Sequence, residues 1–208
     1  MSKRLSRSES QARTRAQLIE SATALYLRAG FAATSNDQVA ETAGYSRGAV
    51  YSNFASKEEL ALAVLDQHMA RQFEAVERAL DHGTVADRFA KFQQWLDHTL
   101  GEQQWALLKA ELALAARRSP ALLEQLAARD EQARATVTVL IERVMTDIGI
   151  TLPIDPPTLA RLILALGRGI ALEGVTEPHP SGAWLTEFLR TTLQPVTLML
   201  ADPDAPQS

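Results

Sequence analysis

The chain has 208 residues, 46% hydrophobic and 22% charged, with a formal net charge of −4 and no cysteine. That is enough apolar material for a globular core, in one compact domain or in a small domain joined to a larger one. Disulfides, thiolate metal ligands and thiol nucleophiles are excluded, no stretch is apolar enough to span a bilayer, and no hydrophobic signal region follows MSKRLSRS, so a reducing cytoplasm is the expected compartment. The charge is unevenly placed. Residues 1–57 carry eight basic and four acidic side chains, and the remainder carries thirteen basic and twenty-one acidic ones. A basic N-terminal module on an acidic body favours a polyanion at one end only. For Lys3 to Arg7 alone, an ordinary solubilising tail is the alternative reading.

Residues 1–9 are polar, basic and Ser-rich, an arm expected to be disordered without DNA. A first helix is predicted from about Ser10 to Ala29, with Leu18, Ile19, Ala22, Leu25 and Tyr26 on one face. Gly30 ends it, Phe31 plugs a small core, and Arg13 and Arg15 are expected near a phosphate backbone. Ser35 and Gln38 then form a capping box for a short helix burying Val39, Ala40 and Ala43. Gly44 suits its left-handed end. Ser46 caps a second short helix, Arg47 to Phe54, with Val50, Tyr51 and Phe54 on one edge, and Ser56 with Glu59 opens a third. Two short helices around a glycine turn make a helix-turn-helix, whose second helix can enter the DNA major groove.

Long helices follow, through Leu60, Val64, Leu65, His68, Gln72, Phe73, Val76 and Leu80 to about Asp81. After His82-Gly83, Thr84 caps another, and the register breaks near Gly101 before a helix carrying Trp105, Leu108, Glu111 and Leu112. Ser119-Pro120 and Asp155-Pro156 are N-cap signals with proline at the first helical position. A last helix is expected from about Ala183 to Leu200, disturbed by Pro195. No segment alternates with period two. The predicted class is all-α: a three-helix helix-turn-helix DNA-binding domain with its basic arm over 1–55, and a helical ligand-binding and dimerisation domain of about six helices over 56–208.

The stretch Ala43 to Leu60, AGYSRGAVYSNFASKEEL, closely resembles the DNA-binding signature of the tetracycline-repressor (TetR) family. Leu18 to Ala22, Gly30-Phe31 and Ala33 to Ser35 sit at that family's spacing, so the resemblance covers roughly the first third of the chain. From the residues themselves, Ser46, Arg47, Tyr51, Ser52 and Asn53 form the polar side of the recognition helix. Thr34, Ser35 and Lys57 suit phosphate oxygens, and Arg47 can read guanine. The resemblance implies backbone contacts by Thr34, Tyr51 and Lys57 and groove contacts by Ser46, Arg47, Ala49 and Ser52. Asn53 stands where the family commonly has His, and Tyr51 can equally serve as a core residue.

The four histidines lack partners at metal-ligand spacing, and no phosphate loop or nucleophile elbow is present, so neither a metal, a cofactor nor catalysis is expected. The resemblance implies a pocket for a small-molecule effector of unknown identity. His68, Phe73, Phe92, Trp95, His98, Trp105, Leu108 and Glu111 are the candidates to line it, though each also fits a core or surface role. The apolar surface of Leu162–Leu172 and Trp184–Leu200 exceeds what one helical layer needs. A homodimer interface of Leu162, Leu166, Gly169, Ile170, Trp184 and Phe188 is therefore expected, the alternative being burial within one chain. The implied function is a ligand-responsive regulator, a repressor binding a palindromic double-stranded DNA operator as a dimer, with no membrane partner. A small-molecule sequestering or interaction protein on the same fold is the alternative.

Overall fold

The computed structural model describes residues 6–81, 83–149, 151 and 153–176, and among them every regular element is an α-helix. These are α1 (Arg7–Ala29), α2 (Asn36–Ala43), α3 (Arg47–Asn53), α4 (Lys57–Asp81), α5 (Val85–Gly101), α6 (Gln103–Ala116), α7 (Pro120–Ile148) and α8 (Pro156–Glu173). The all-α expectation holds, and the helix expected over 183–200 lies outside the described residues. Two compact units divide the chain: Met1–Ala70 with Leu107–Ala127, and Arg71–Ala106 with Ala128–Ser208.

In the first unit, α1 buries Leu18, Ile19, Ala22, Leu25 and Tyr26, one face of a helix. It begins earlier than the sequence reading places it. Ser6 Oγ accepts the Glu9 N–H at 3.2 Å, and the Glu9 carboxylate accepts the Ser6 N–H at 2.7 Å. This reciprocal cap makes Arg7 to Glu9 a first helical turn, not part of a disordered arm. Residues 1–5 of that arm lie outside the described residues.

Gly30 ends α1 at φ +86, and Phe31 meets Tyr26 edge-on at a centroid distance of 5.7 Å. Ser35 and Gln38 form the expected capping box of α2, and Gly44 closes it in the left-handed region at φ +73. The Tyr45 hydroxyl donates to Gln17 Oε1 and ties the turn to α1. Ser46 caps α3 through the Ala49 N–H, and α3 ends at Asn53 because Phe54 is already extended. That extended step presents the Ala55 amide to α4. Glu59 therefore accepts the Ala55 N–H at 2.7 Å, while Ser56 Oγ accepts the Glu59 N–H at 3.1 Å. Val39, Val50, Phe54, Leu60 and Val64 form the core with Leu108 and Leu112 of α6.

In the second unit, Thr84 and Asp87 make a reciprocal cap for α5, and Asp155 accepts the Thr158 N–H at 3.0 Å to open α8. α8 packs on α5. Ion pairs join Arg143 to Asp81 at 2.7 Å, Arg88 to Asp147 at 3.3 Å and Arg168 to Asp130 at 3.3 Å. At their exposure such pairs orient helices more than they stabilise them. The glycines of the α8 region differ in their surroundings. Gly167 and Gly169 are within α8, and among the described residues nothing outside their own helix backbone lies within 4 Å of where a Cβ would stand. Gly174 caps the helix, and a Cβ there would meet Gln103 Nε2 at 2.6 Å.

Candidate nucleic-acid interface

α3 has a dry side and a wet side. Val50 and Phe54 are buried, at 0% and 1% exposure, while Ser46, Arg47, Tyr51 and Ser52 are exposed and Ala49 and Asn53 are half-buried. Tyr51, 48% exposed, is not a core residue. Arg47 Nε lies 3.1 Å from Asp37 Oδ1 of α2, and its guanidinium stands 5.5 Å from the Tyr51 ring centroid, one turn further on. Tyr51 and then Asp37 push the Arg47 pKa up, so the group stays a cation. Ser52 Oγ and Asn53 Nδ2 both donate to the Ala49 carbonyl, at 3.0 and 2.8 Å. The Asn53 amide therefore turns back onto its own helix.

The residues read as phosphate contacts have structural duties as well. Thr34 is 3% exposed and donates to the Gly30 carbonyl at 2.9 Å, stapling the loop between α1 and α2. Ser35 Oγ serves in the α2 cap. Lys57 Nζ donates to the Ala32 carbonyl at 3.3 Å and sits 4.3 Å from the Phe31 ring centroid. Burial lowers its pKa, against the carboxylates of Glu58 and Glu111. On the other side of the same residue, Glu111 Oε2 accepts the Ala32 N–H at 3.0 Å.

Arg15, expected near a phosphate backbone, has a structural duty within the head. Its Nη1 donates to the Asn53 carbonyl at 2.9 Å, and its guanidinium lies 4.1 Å from the Phe54 ring centroid. A cation at the carbonyl end of α3 satisfies an orphan acceptor and opposes the helix dipole. Sequence reasoning missed this role because the partner lies 38 residues away. It also passed over Asp37, for which the available signal was an acid in the first turn of α2.

The candidates for an effector pocket separate. His68, Leu108 and Glu111 belong to the first unit, where Leu108 is 1% exposed in the core and Glu111 holds the Ala32 amide. Phe92, Trp95, His98 and Trp105 belong to the second. There the Phe92 and Trp95 rings are 5.6 Å apart, and the Trp95 Nε1–H donates to Gln72 Oε1 at 2.9 Å. Thr99 Oγ1 donates to the same oxygen at 3.0 Å, and Gln72 Nε2 donates to Glu102 Oε2 at 2.7 Å. His98 Nε2 is 3.8 Å from Glu102 Oε1. Burial raises the Glu102 pKa, opposed by His98 and Gln72. Gln72, read only as one position along a long helix, is the centre of this network; an amide among Leu, Val and Phe at helical spacing was the signal. Of the interface candidates, Leu162, Leu166 and Gly169 are exposed, Ile170 is buried at 4%, and Trp184 and Phe188 lie outside the described residues.

Comparison with known proteins agrees with this layout. Residues 18–64 match the bacterial regulatory proteins of the tetR family, and residues 80–195 match the tetracyclin repressor-like C-terminal domain. The chain is 43% identical over 68 residues to the HTH-type transcriptional regulator TtgR of Pseudomonas putida, covering 30% of this chain and 32% of that protein. It thus spans about a third of the length of that curated relative. A candidate transcriptional regulator from Rhodococcus sp. RHA1 shares the fold at 21% identity and a TM-score of 0.71, over 87% of this chain and 95% of that one. The multidrug binding protein EbrR, solved in complex with proflavin, is 27% identical with a TM-score of 0.56, over 86% of this chain and 98% of its own.

Proposed function

The chain belongs to the tetracycline-repressor family of transcriptional regulators, and on that premise we propose that it is a ligand-responsive repressor binding a palindromic operator as a dimer. One observation carries the operator reading: a preformed α3 presents Ser46, Arg47, Tyr51 and Ser52 outward while Val50 and Phe54 anchor it from beneath. A groove-entering helix needs such a polar outer row on a fixed base. In this reading residues 1–55 form the DNA-binding head, and residues 56–208 form a cytoplasmic effector-binding and dimerisation body. The exposed Leu162 and Leu166 support a homodimer through α8. The bound proflavin of EbrR supports a small-molecule effector without identifying one.

The test begins with duplexes selected by the protein from a randomised pool. Arg47→Ala and Tyr51→Ala should each weaken binding to them by about tenfold, taking one lost base or backbone contact as a guide, with the melting temperature and dimer retained. Unchanged affinity for both variants would favour a sequestering protein instead. A reporter placed behind the selected sequence separates repression from activation. A thermal-shift screen identifies the effector, because a ligand bound only by the native state raises the melting temperature.

A further inference from the structure

We propose that Asp37 determines the base specificity of α3: by holding one edge of the Arg47 guanidinium, it aims the opposite donor edge at guanine and away from the phosphate backbone. The inference rests on the reading that α3 enters the major groove.

From Ser35 to Phe54 the sequence carries one cation, Arg47, and two carboxylates, Asp37 and Glu41. The helix-turn-helix itself is therefore acidic, and its single cation is not left to swing. Asp37 Oδ1 engages Nε at 3.1 Å, and the Tyr51 ring lies 5.5 Å from the guanidinium carbon. Both charged side chains are exposed, at 66% and 59%, so this contact stands on the outer surface of the motif and not in its core. Arg47 is also the first residue of α3, following the N-cap Ser46. The N-terminal residues of a recognition helix are those that reach base edges.

A guanidinium has two edges that can donate in pairs. One combines Nε with a terminal nitrogen; the other is formed by both terminal nitrogens. A carboxylate paired with the Nε side lies along the first edge and leaves the second turned away from it, which matches the O6 and N7 acceptors of guanine. Without that restraint, a long cationic side chain beside DNA meets a phosphate in most of its rotamers, and phosphate contacts carry no sequence information. The Asp37 charge acts in the same sense at longer range. A carboxylate on the DNA-facing side repels every duplex about equally, whereas only a site with guanine in place regains the loss through Arg47. Specificity is that difference.

The competing account makes Asp37 a helix-stabilising acid in the first turn of α2, where it complements the macrodipole. The experiment compares full-length protein with Asp37→Asn, Arg47→Ala and the double variant, each used to select from a randomised duplex pool. Affinities are then measured by anisotropy across salt concentrations, on a selected and a scrambled duplex. Arg47→Ala should erase a guanine preference at one position of each half-site. Asp37→Asn should weaken that same preference alone, while raising affinity for the scrambled duplex by about two- to fivefold, the scale of one exposed charge contact. It should also steepen the salt dependence by about two units of slope per dimer, as a further phosphate contact forms in each half-site. In the Arg47→Ala background, Asp37→Asn should leave base preference unchanged. A guanine preference lost in Arg47→Ala but intact in Asp37→Asn would overturn the inference and leave the operator reading standing. A uniform loss of affinity with a lower melting temperature would also overturn it, in favour of the helix-stabilising account. Should Arg47→Ala select the same sequences as the unmodified protein, the groove reading and the inference fall together.

Discussion

The Glu111 carboxylate and the Ala32 amide meet across 79 residues of sequence, with Oε2 accepting that N–H at 3.0 Å. The other oxygen, Oε1, lies 2.7 Å from where a Cβ on Gly30 would stand. Glycine is favoured at position 30 by its backbone at φ +86, and a Cβ there would also require the Glu111 carboxylate to shift. Gly30→Ala should destabilise the protein by about 1–3 kcal/mol, as strained backbone does, and Glu111→Ala by about 1 kcal/mol for the lost hydrogen bond. In the double variant the steric part disappears while the backbone strain remains. Urea unfolding should therefore show a combined loss smaller than the sum by roughly 0.5 kcal/mol or more. Strict additivity would mean that the carboxylate simply swings aside.

Arg15 allows a sharper distinction between scaffold and contact. Arg15→Ala removes the bond to the Asn53 carbonyl and the stacking on Phe54. The expected loss is about 1–2 kcal/mol of stability, with Arg15→Lys only partly restoring it because the planar fork is absent. DNA affinity should fall with stability, and its salt dependence should keep its slope. A flatter slope at unchanged melting temperature would return Arg15 to the phosphate backbone.

Gly169 tests the proposed dimer. Among the described residues, nothing outside its own helix backbone lies within 4 Å of its missing Cβ. Leucine is moreover the better helix former, by roughly 1 kcal/mol. Gly169→Leu should leave helicity intact while overpacking a second copy pressed against α8. Ultracentrifugation should show monomers, and operator affinity should drop further than in Arg47→Ala because a whole half-site is forfeited. A variant that remains a dimer at full affinity would move the interface away from this residue.

The helix caps set a response to acid. Hydrogen bonds from Thr84 and Thr158 hold the carboxyls of Asp87 and Asp155 below the ordinary aspartate value of 3.8. A depressed native pKa contributes stability that is present above the unfolded value and lost as pH falls through the native one. Melting temperature should therefore decline below about pH 4. Asp155→Asn should shrink that decline while costing little at neutral pH, because asparagine caps almost as well. Parallel pH profiles for the two proteins would remove Asp155 from this effect. Glu102, with its pKa raised by burial, works in the opposite sense.

Local chemistry was the legible part of the sequence. Ser35 with Gln38, Thr84, Ser119-Pro120 and Asp155-Pro156 all open helices where their side chains announce them. Ser6 with Glu9 is the same signal, overlooked because the basic residues around it suggested a loose arm. The long-range assignments were not readable. Arg15 on the end of α3, Glu111 on the loop after α1, and Gln72 joining Trp95, Thr99 and Glu102 all depend on partners more than twenty residues away. Periodicity tells which face of a helix is wet, not which distant atom it will meet. In the candidate site, the exposed row on α3 was legible from its pattern. Asp37 was not, because one exposed carboxylate looks like any other until its neighbour's geometry is known.

α3 has seven residues, where an isolated helix needs about 12–15 to be even marginal in water. Its shape is imposed from outside, by Ser46 at one end, Arg15 at the other, and the buried Val50 and Phe54 below. None of those four holds its place through Ser52 or the outer end of Arg47. Ser46 apart, the side chains that hold α3 in place differ from those proposed to read DNA. Exchanging the exposed residues leaves the folding free energy almost untouched, since surface positions away from caps and cores usually shift it by no more than about 0.5 kcal/mol. On the proposed reading of α3, a lineage carrying this head can drift from one DNA address to another by single steps, each passing through a folded protein.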